Sequence, residues 1–300
     1  MTRIYIIGAG AVGLLMASFL SESGHAVTVV TRRPKQAEKI NMLGITRYEI
    51  NGDQKTFEVQ ATSKLEITDG AIVIVTTKYD ALQSIYPSLA KLRPDVPLLF
   101  LQNGLAHMEK VLALQHENIT FGSVQFGAQK GEETSVYHRG LGVLKLAIAR
   151  GDKRVVQLLD FIKLESFSVQ LENDAEQMLF EKALLNCFIN PLTALLEVKN
   201  GQLIHNEHAF YLLQKLYKEL MAAFPSVEQT FPFQSVYDLC ERTANNTSSM
   251  LADRQKNRKL ETETIVGAVI NKAKKIGQEV PTLQVLYSLL LAVEESGEKM

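Results

Sequence analysis

Lys182, Asn186 and Asn190 recur at every fourth position within the apolar run 182–192. In an α-helix each step of four turns about 40° past a full revolution and climbs about 6 Å. The three side chains therefore share one slowly winding stripe. Leu184, Leu185, Cys187, Phe188 and Ile189 surround it, so the stripe is not simply a wetted face. Polar groups in such surroundings are satisfied either by bonds within the fold or by lining a ligand cavity; the cavity is the favoured reading. Pro191 lacks an amide hydrogen and is expected to kink or end the helix near Asn190.

A second constellation lies at the start of the chain, Gly8-Ala9-Gly10-Ala11-Val12-Gly13. The apolar strand Ile4–Ile7 precedes it and an apolar helix, Leu14–Leu20, follows. That context turns a weak Gly-x-Gly-x-x-Gly match into a pyrophosphate-binding turn. Gly8 permits the tight turn, Gly10 leaves the backbone open to phosphates, and Gly13 lets the helix approach the strand. The bland alternative is a strand–helix turn without a ligand.

The second strand, Ala26–Val30, ends without the acidic residue that holds an NAD ribose; the chain reads Thr31-Arg32-Arg33-Pro34-Lys35. A guanidinium pairs with a 2′-phosphate where a carboxylate repels it. NADP is therefore expected as cofactor, with Arg32 the first candidate and Arg33 the second. A solvated basic turn is the competing reading.

Two more groups follow strands. Lys78, after Ala71–Val75, is either a crevice residue at a strand's carboxyl end or a surface lysine. Asn103, after Leu98–Leu101, offers a donor and an acceptor at nicotinamide height, or is simply an Asn-Gly turn. Thr247-Ser248-Ser249 can hold a carboxylate or cap a helix. The charged segment 253–263 reads as a solvated helix face. His205 and His208 are read as surface residues, and the histidines form no ligand-spaced set, so no metal is expected.

The elements that must position these groups fall into two parts. Up to residue 170, strands and helices alternate, with a small hairpin over 46–60, a helix over 80–92, further strands at 121–126, 142–147 and 166–171, and a helix over 155–164. The expected fold class is α/β, a Rossmann-type doubly wound sheet followed by an all-α C-terminal domain. Residues 1–170 are the expected NADP-binding domain and 171–300 the helical substrate domain. Helices are expected at 174–196, 206–223, 233–244, 258–276 and 282–295, with residues 294–300 frayed. Substrate is expected in a cleft at the carboxyl ends of the strands.

With 300 residues, 46% of them hydrophobic, and a net charge of −1, the chain can bury two cores and shows no bias toward nucleic acid. No apolar run reaches membrane-spanning length, and the first residues lead directly into a strand without a leader. Cys187 and Cys240 are expected as buried, reduced thiols. The reading is a soluble cytoplasmic monomer or homodimer without membrane contact.

The combination resembles the ketopantoate reductase (2-dehydropantoate 2-reductase) family along nearly the whole chain. The matching pieces are the glycine turn, Thr77-Lys78, Asn103-Gly104, Lys182-Ala183-Leu184-Leu185-Asn186 with Asn190-Pro191-Leu192-Thr193-Ala194, Asn200-Gly201, Thr247-Ser248-Ser249-Met250 and Glu261. The resemblance implies NADPH-dependent reduction of ketopantoate to pantoate on the way to pantothenate and coenzyme A. It gives Lys182 the role of catalytic acid. It gives Asn186, Asn190, Asn200, Ser249 and Glu261 to the substrate pocket, Lys78 and Asn103 to the cofactor and active site, and Arg32 to the 2′-phosphate. Leu260 and Glu263 depart from the family's usual Thr and Asp beside the pocket acid. A relative acting on another 2-keto or 3-hydroxy acid, and a non-catalytic NADP(H) sensor, stand as alternatives.

Overall fold

The computed structural model describes residues 3–160, 162 and 164–297. The chain divides into two compact units. One holds the residues up to Gln102 together with His107–Met178; the other holds Asn103–Ala106 and the chain from Leu179 onward.

The first unit is an alternating α/β array. Its elements are β1 (Arg3–Ile7), α1 (Ala11–Glu22), β2 (Ala26–Val30), α2 (Pro34–Leu43), β3 (Ile45–Tyr48), β4 (Gln54–Phe57), β5 (Gln60–Thr62), β6 (Ile72–Val75), α3 (Tyr79–Leu89), β7 (Leu98–Phe100), α4 (Met108–Leu112), β8 (Ile119–Val124), β9 (Gly127–Lys130), β10 (Ser135–Gly140), β11 (Val143–Arg150), α5 (Arg154–Asp160) and β12 (Ser168–Glu172). Eight strands form one sheet in the order β12-β11-β8-β7-β6-β1-β2-β5. The pairs are parallel except β11 with β8. All four residues of β6 and all three of β7 are buried, as continuous apolar strands covered on both faces must be. The strand order reverses beside β1, where β2 departs to one side and β6 to the other, and this is where doubly wound sheets bind their ligands.

A second sheet, β4-β3-β10-β9, packs on α1. The hairpin expected over 46–60 supplies β3 and β4; β9 and β10, which the sequence did not disclose, complete it. Arg47 of β3 locks the sheet in place. Its side chain is only 1% exposed, it pairs with Glu22 of α1 at 2.5 Å and Glu49 at 2.6 Å, and it lies over the rings of Phe19 and Phe57. In the helix expected over 155–164, Phe161 and Lys163 lie outside the described residues.

The helical elements that follow are α6 (Ala175–Leu196), α7 (Gln202–His205), α8 (Glu207–Ala223), α9 (Phe233–Arg242), α10 (Ser249–Arg254), α11 (Ala268–Lys275) and α12 (Pro281–Gly297). Phe188 and Leu192 of α6, Leu213 and Leu216 of α8, Val266, and Leu283 of α12 meet in one core. Cys187 and Cys240 are free and buried.

Several expectations are corrected here. Helix α6 runs through Pro191 to Leu196, as the span expected over 174–196 has it, so of the two effects expected of Pro191 the ending near Asn190 does not occur. Leu192, Thr193 and Ala194 beyond the proline are buried, and this packing outweighs the lost amide bond. The helix stops where Glu197 adopts φ 57° and the Val198 amide reaches back to the Thr193 carbonyl. By length and apolar composition α6 is also long enough to cross a membrane, against expectation; 67% of its most apolar window is buried inside the protein, as in a core helix.

The charged segment 253–263 is not a solvated helix. Asp253 is buried, and Arg254 binds the Ala194 and Leu195 carbonyls and the Glu197 carboxylate, closing the end of α6. The helix expected over 258–276 begins instead as a π-helical turn, Glu263–Gly267, which continues into α11. Helix α12 stays wound through Gly297 where fraying from Glu294 was expected; residues 298–300 lie outside the described residues.

Candidate active site

The glycine turn joins β1 to α1. Gly8 has φ 116°, and a Cβ there would stand 2.8 Å from Thr76 Oγ1. A Cβ on Gly13 would stand 1.9 Å from the Gly8 carbonyl oxygen, so helix and strand meet in van der Waals contact only because that side chain is absent. Around Gly10 the space is open. No side chain caps α1, and its first turn carries no acidic residue, so the amides of Ala11 and Val12 keep their capacity for an anion. Thr76 Oγ1 donates to the Ile7 or Gly8 carbonyl and ties the end of β6 to the turn. The buried Thr77 hydroxyl beside it has no protein partner. An open glycine, an uncapped helix and an unsatisfied hydroxyl fit a pyrophosphate.

The turn's carbonyls are also held. The Ala9 oxygen accepts from Lys130 Nζ at 2.8 Å and from Gln36 Nε2 at 3.3 Å. After β2, Arg32 is exposed, whereas Arg33 pairs with Glu133 at 2.8 Å. Lys39 pairs with the same carboxylate at 2.5 Å. Lys78 is exposed at the N-cap of α3, directly beyond β6. Gln102 Nε2 bonds the Val75 and Thr77 carbonyls and fixes the strand ends there.

In the second unit, the stripe on α6 is present as a helical face. Lys182 and Asn186 are half-buried, and Asn190 is buried. Burial pulls the Lys182 ammonium down from its ordinary 10.5 to about 8, while the Glu261 carboxylate acts in the opposite sense. Glu261 in turn accepts a hydrogen bond from Asn103 Nδ2 at 3.0 Å. The Asn103 side chain is set by a backbone seam: the Leu105 amide donates to the Thr264 carbonyl at 3.3 Å, and Gly104 has φ 76°. A Cβ on Gly104 would stand 1.9 Å from that carbonyl oxygen, in the π-helical turn. A wide turn of this type frees a carbonyl from the regular ladder, and such turns recur at functional sites.

Asn190 Nδ2 lies 3.4 Å from Ser249 Oγ, and the Thr193 and Ser248 hydroxyls meet at 2.7 Å. Ser248 is the N-cap of α10, accepting from the Leu251 amide, as one of the two sequence readings had it. Asn200 stands apart from this chain of bonds: its Nδ2 donates to Thr243 Oγ1 at 2.9 Å, and its buried Oδ1 has no partner. Structure thus bonds Asn103 to Glu261, whose carboxylate acts on Lys182 through its charge, and Asn190 to Ser249. Sequence reasoning missed Lys130, Gln36 and Glu133 beside the turn; no local motif marks them. Among the described residues no cluster of histidine, cysteine or acidic side chains can hold a metal ion. His205 and His208 are exposed.

Comparison with known proteins identifies the family. The ketopantoate reductase PanE/ApbA family matches residues 4–151, and its C-terminal domain matches residues 174–294. The 2-dehydropantoate 2-reductase of Listeria monocytogenes is 34% identical over 302 residues, 99% of this chain and 98% of the relative. That of Bacillus subtilis is 34% identical over 301 residues, 99% of each chain. A crystal structure of a probable 2-dehydropantoate 2-reductase from Bacillus subtilis superimposes with TM-score 0.83 at 33% identity, covering 97% of this chain and 100% of the other. D-mandelate dehydrogenase, solved with NADH and anilino(oxo)acetate, shares the fold alone, with TM-score 0.86 at 23% identity over 99% and 100% of the two chains. The chain is an oxidoreductase and belongs to the ketopantoate reductase PanE/ApbA family.

Proposed function

We propose that this enzyme reduces ketopantoate to pantoate with NADPH, in the supply of pantothenate and coenzyme A. The observation that carries the reading is Lys182 on the polar face of α6, its ammonium drawn down to about 8 by burial and opposed by the charge of Glu261, a carboxylate that the Asn103 carboxamide holds. Full-length identity to named 2-dehydropantoate 2-reductases supports the substrate.

In this account residues 1–170 serve the cofactor and 171–300 the substrate. Gly8, Gly10 and Gly13 with the amides of Ala11 and Val12 take the pyrophosphate, and Ala9 carries the turn between the first two glycines. Arg32 takes the 2′-phosphate. Arg33 is already engaged by Glu133, which supports Arg32 as the one available for it. Lys78 and Asn103 complete the cofactor's surroundings. When bound, NADPH supplies the hydride.

Lys182 acts on the substrate oxygen. As the C2 carbonyl takes up hydride, negative charge grows on that oxygen; the ammonium stabilises it and then gives up a proton. A donor lowered to about 8 remains charged at neutral pH yet releases its proton more readily than an ordinary lysine. Asn186 and Asn190 orient the keto acid without changing the local charge. Ser249 binds the carboxylate end, Asn200 is a further pocket residue whose unpartnered Oδ1 can accept from a donor, and Glu261 accepts from the substrate hydroxyl while keeping Lys182 charged.

The test follows NADPH oxidation optically with ketopantoate, with NADH and a panel of other 2-keto acids as comparisons. Ketopantoate with NADPH should give the highest kcat/KM. A clear preference for another acid replaces the substrate assignment. Tight NADPH binding without turnover on any keto acid makes the protein a sensor rather than a catalyst.

A further inference from the structure

The second sheet of the first unit brings a cation to the glycine turn. Lys130 ends β9, is half-buried, and donates to the Ala9 carbonyl at 2.8 Å. Gln36 of α2 donates to the same oxygen at 3.3 Å and also to the Glu133 carbonyl at 2.8 Å. The Glu133 side chain pairs with Arg33 and Lys39, pinning the β9–β10 hairpin against α2. One carbonyl therefore has two side-chain donors, one arriving from 27 residues away and the other from 121.

The geometry has a consequence for the amide that follows. A trans peptide unit is planar, so the Ala9 carbonyl and the Gly10 N–H point in opposite directions. Holding one aims the other. This unit turns about ψ of Ala9 and φ of Gly10, and Gly10 has no Cβ to restrict its side of the rotation. The space around Gly10 is open. On its other side Gly10 is held as the N-cap of α1, its carbonyl accepting from the Leu14 amide at 3.0 Å, so the Ala9 carbonyl is the remaining handle on the direction of the Gly10 amide.

We infer that Lys130 is a positioning residue for cofactor binding: together with Gln36 it grips the Ala9 carbonyl and presets the Gly10 amide toward a dinucleotide pyrophosphate. The inference rests on the proposal that the turn holds NADPH. Lys130 acts through the turn, so it should change how tightly cofactor binds and not how fast bound cofactor reacts. A charged donor on a partly buried carbonyl is among the stronger hydrogen bonds, and its loss before binding should weaken the cofactor complex about tenfold.

Fluorescence titration with NADPH, combined with steady-state kinetics, tests this on wild type, Lys130→Met and Lys130→Arg. Lys130→Met should raise the NADPH Kd and KM about tenfold, with kcat at saturating NADPH and the keto acid KM within about twofold of wild type. Lys130→Arg, which keeps a charged donor, should recover most of the affinity. An unchanged NADPH Kd in Lys130→Met overturns the inference and leaves the cofactor proposal standing. A fall in kcat equal to the loss of affinity also overturns it, because that marks general damage. Failure of wild type to bind NADPH or NADH overturns the cofactor proposal and the inference with it. Should Lys130→Met not fold, Gln36→Leu removes the second donor: a raised NADPH Kd with unchanged kcat upholds the clamp, and an unchanged Kd overturns it.

Discussion

Asn103 and Glu261 stand 158 residues apart in sequence and are joined by one hydrogen bond, Nδ2 to Oε2, at 3.0 Å. The bond exists because Gly104 has no side chain: the backbone beside it lies against the Thr264 carbonyl, where a Cβ would stand 1.9 Å from the oxygen. Gly104→Ala must therefore push the 103–106 segment off the π-helical turn and also strain a residue at φ 76°. The expected result is a fall of about tenfold or more in kcat/KM for the keto acid, with a lower Tm. Kinetics and thermal unfolding of the purified variant check both.

The position of Lys182 has a pH signature. The reactive form is the ammonium, held at about 8 by burial against the opposing pull of Glu261. The kcat/KM for reduction should stay level through neutral pH and fall tenfold per unit above about 8. Stability moves the other way. Between about 8 and the ordinary 10.5 the unfolded chain holds a proton at this position that the folded chain has released, so this group makes stability rise with pH across that window. Below about 8 both states carry the charge and the burial cost is felt in full. Lys182→Met should accordingly unfold at higher urea than wild type at pH 7, with the difference narrowing as pH rises toward 10.5.

Much of the first unit can be read from the sequence because its central strands are short, β-branched and buried on both faces, as in Ile72–Val75. The glycine turn reads for the same reason: its requirements are local. Strands β9 and β10 escape because Gly127–Lys130 is only partly buried and has no apolar alternation. Their role is tertiary, set by Lys130 reaching a carbonyl 121 residues earlier. In the second unit, periodicity finds α6 and α8, and the Ser248 cap is visible as a hydroxyl before an apolar run. Periodicity fails at 253–263, where charges suggested a solvent face; Arg254 instead turns inward to the carbonyl end of α6. It also reads through the π-helical turn, whose residues Thr264–Gly267 are all buried and carry the apolar pattern of a continuous helix.

Cofactor choice is proposed to rest on Arg32. Replacing it with aspartate puts a carboxylate where the 2′-phosphate is expected, the arrangement of an NAD site. Arg32→Asp should lower kcat/KM for NADPH about 100-fold and leave NADH within a few-fold of wild type, reversing the preference. Equal loss with both cofactors would point to Arg33 or to a general defect.

Arg47 is a structural counterpart, buried and paired with Glu22 and Glu49. Arg47→Met removes the cation and leaves two carboxylates facing each other. Urea unfolding should show a loss of about 3 kcal/mol, with kcat of the remaining folded protein unchanged.

The most direct measurement is single-turnover reduction of ketopantoate by the NADPH complex of Lys182→Ala. The account predicts a rate about 100- to 10,000-fold below wild type, with the NADPH Kd within twofold. Turnover near the wild-type rate would remove Lys182 from the chemistry and contradict the account at its centre.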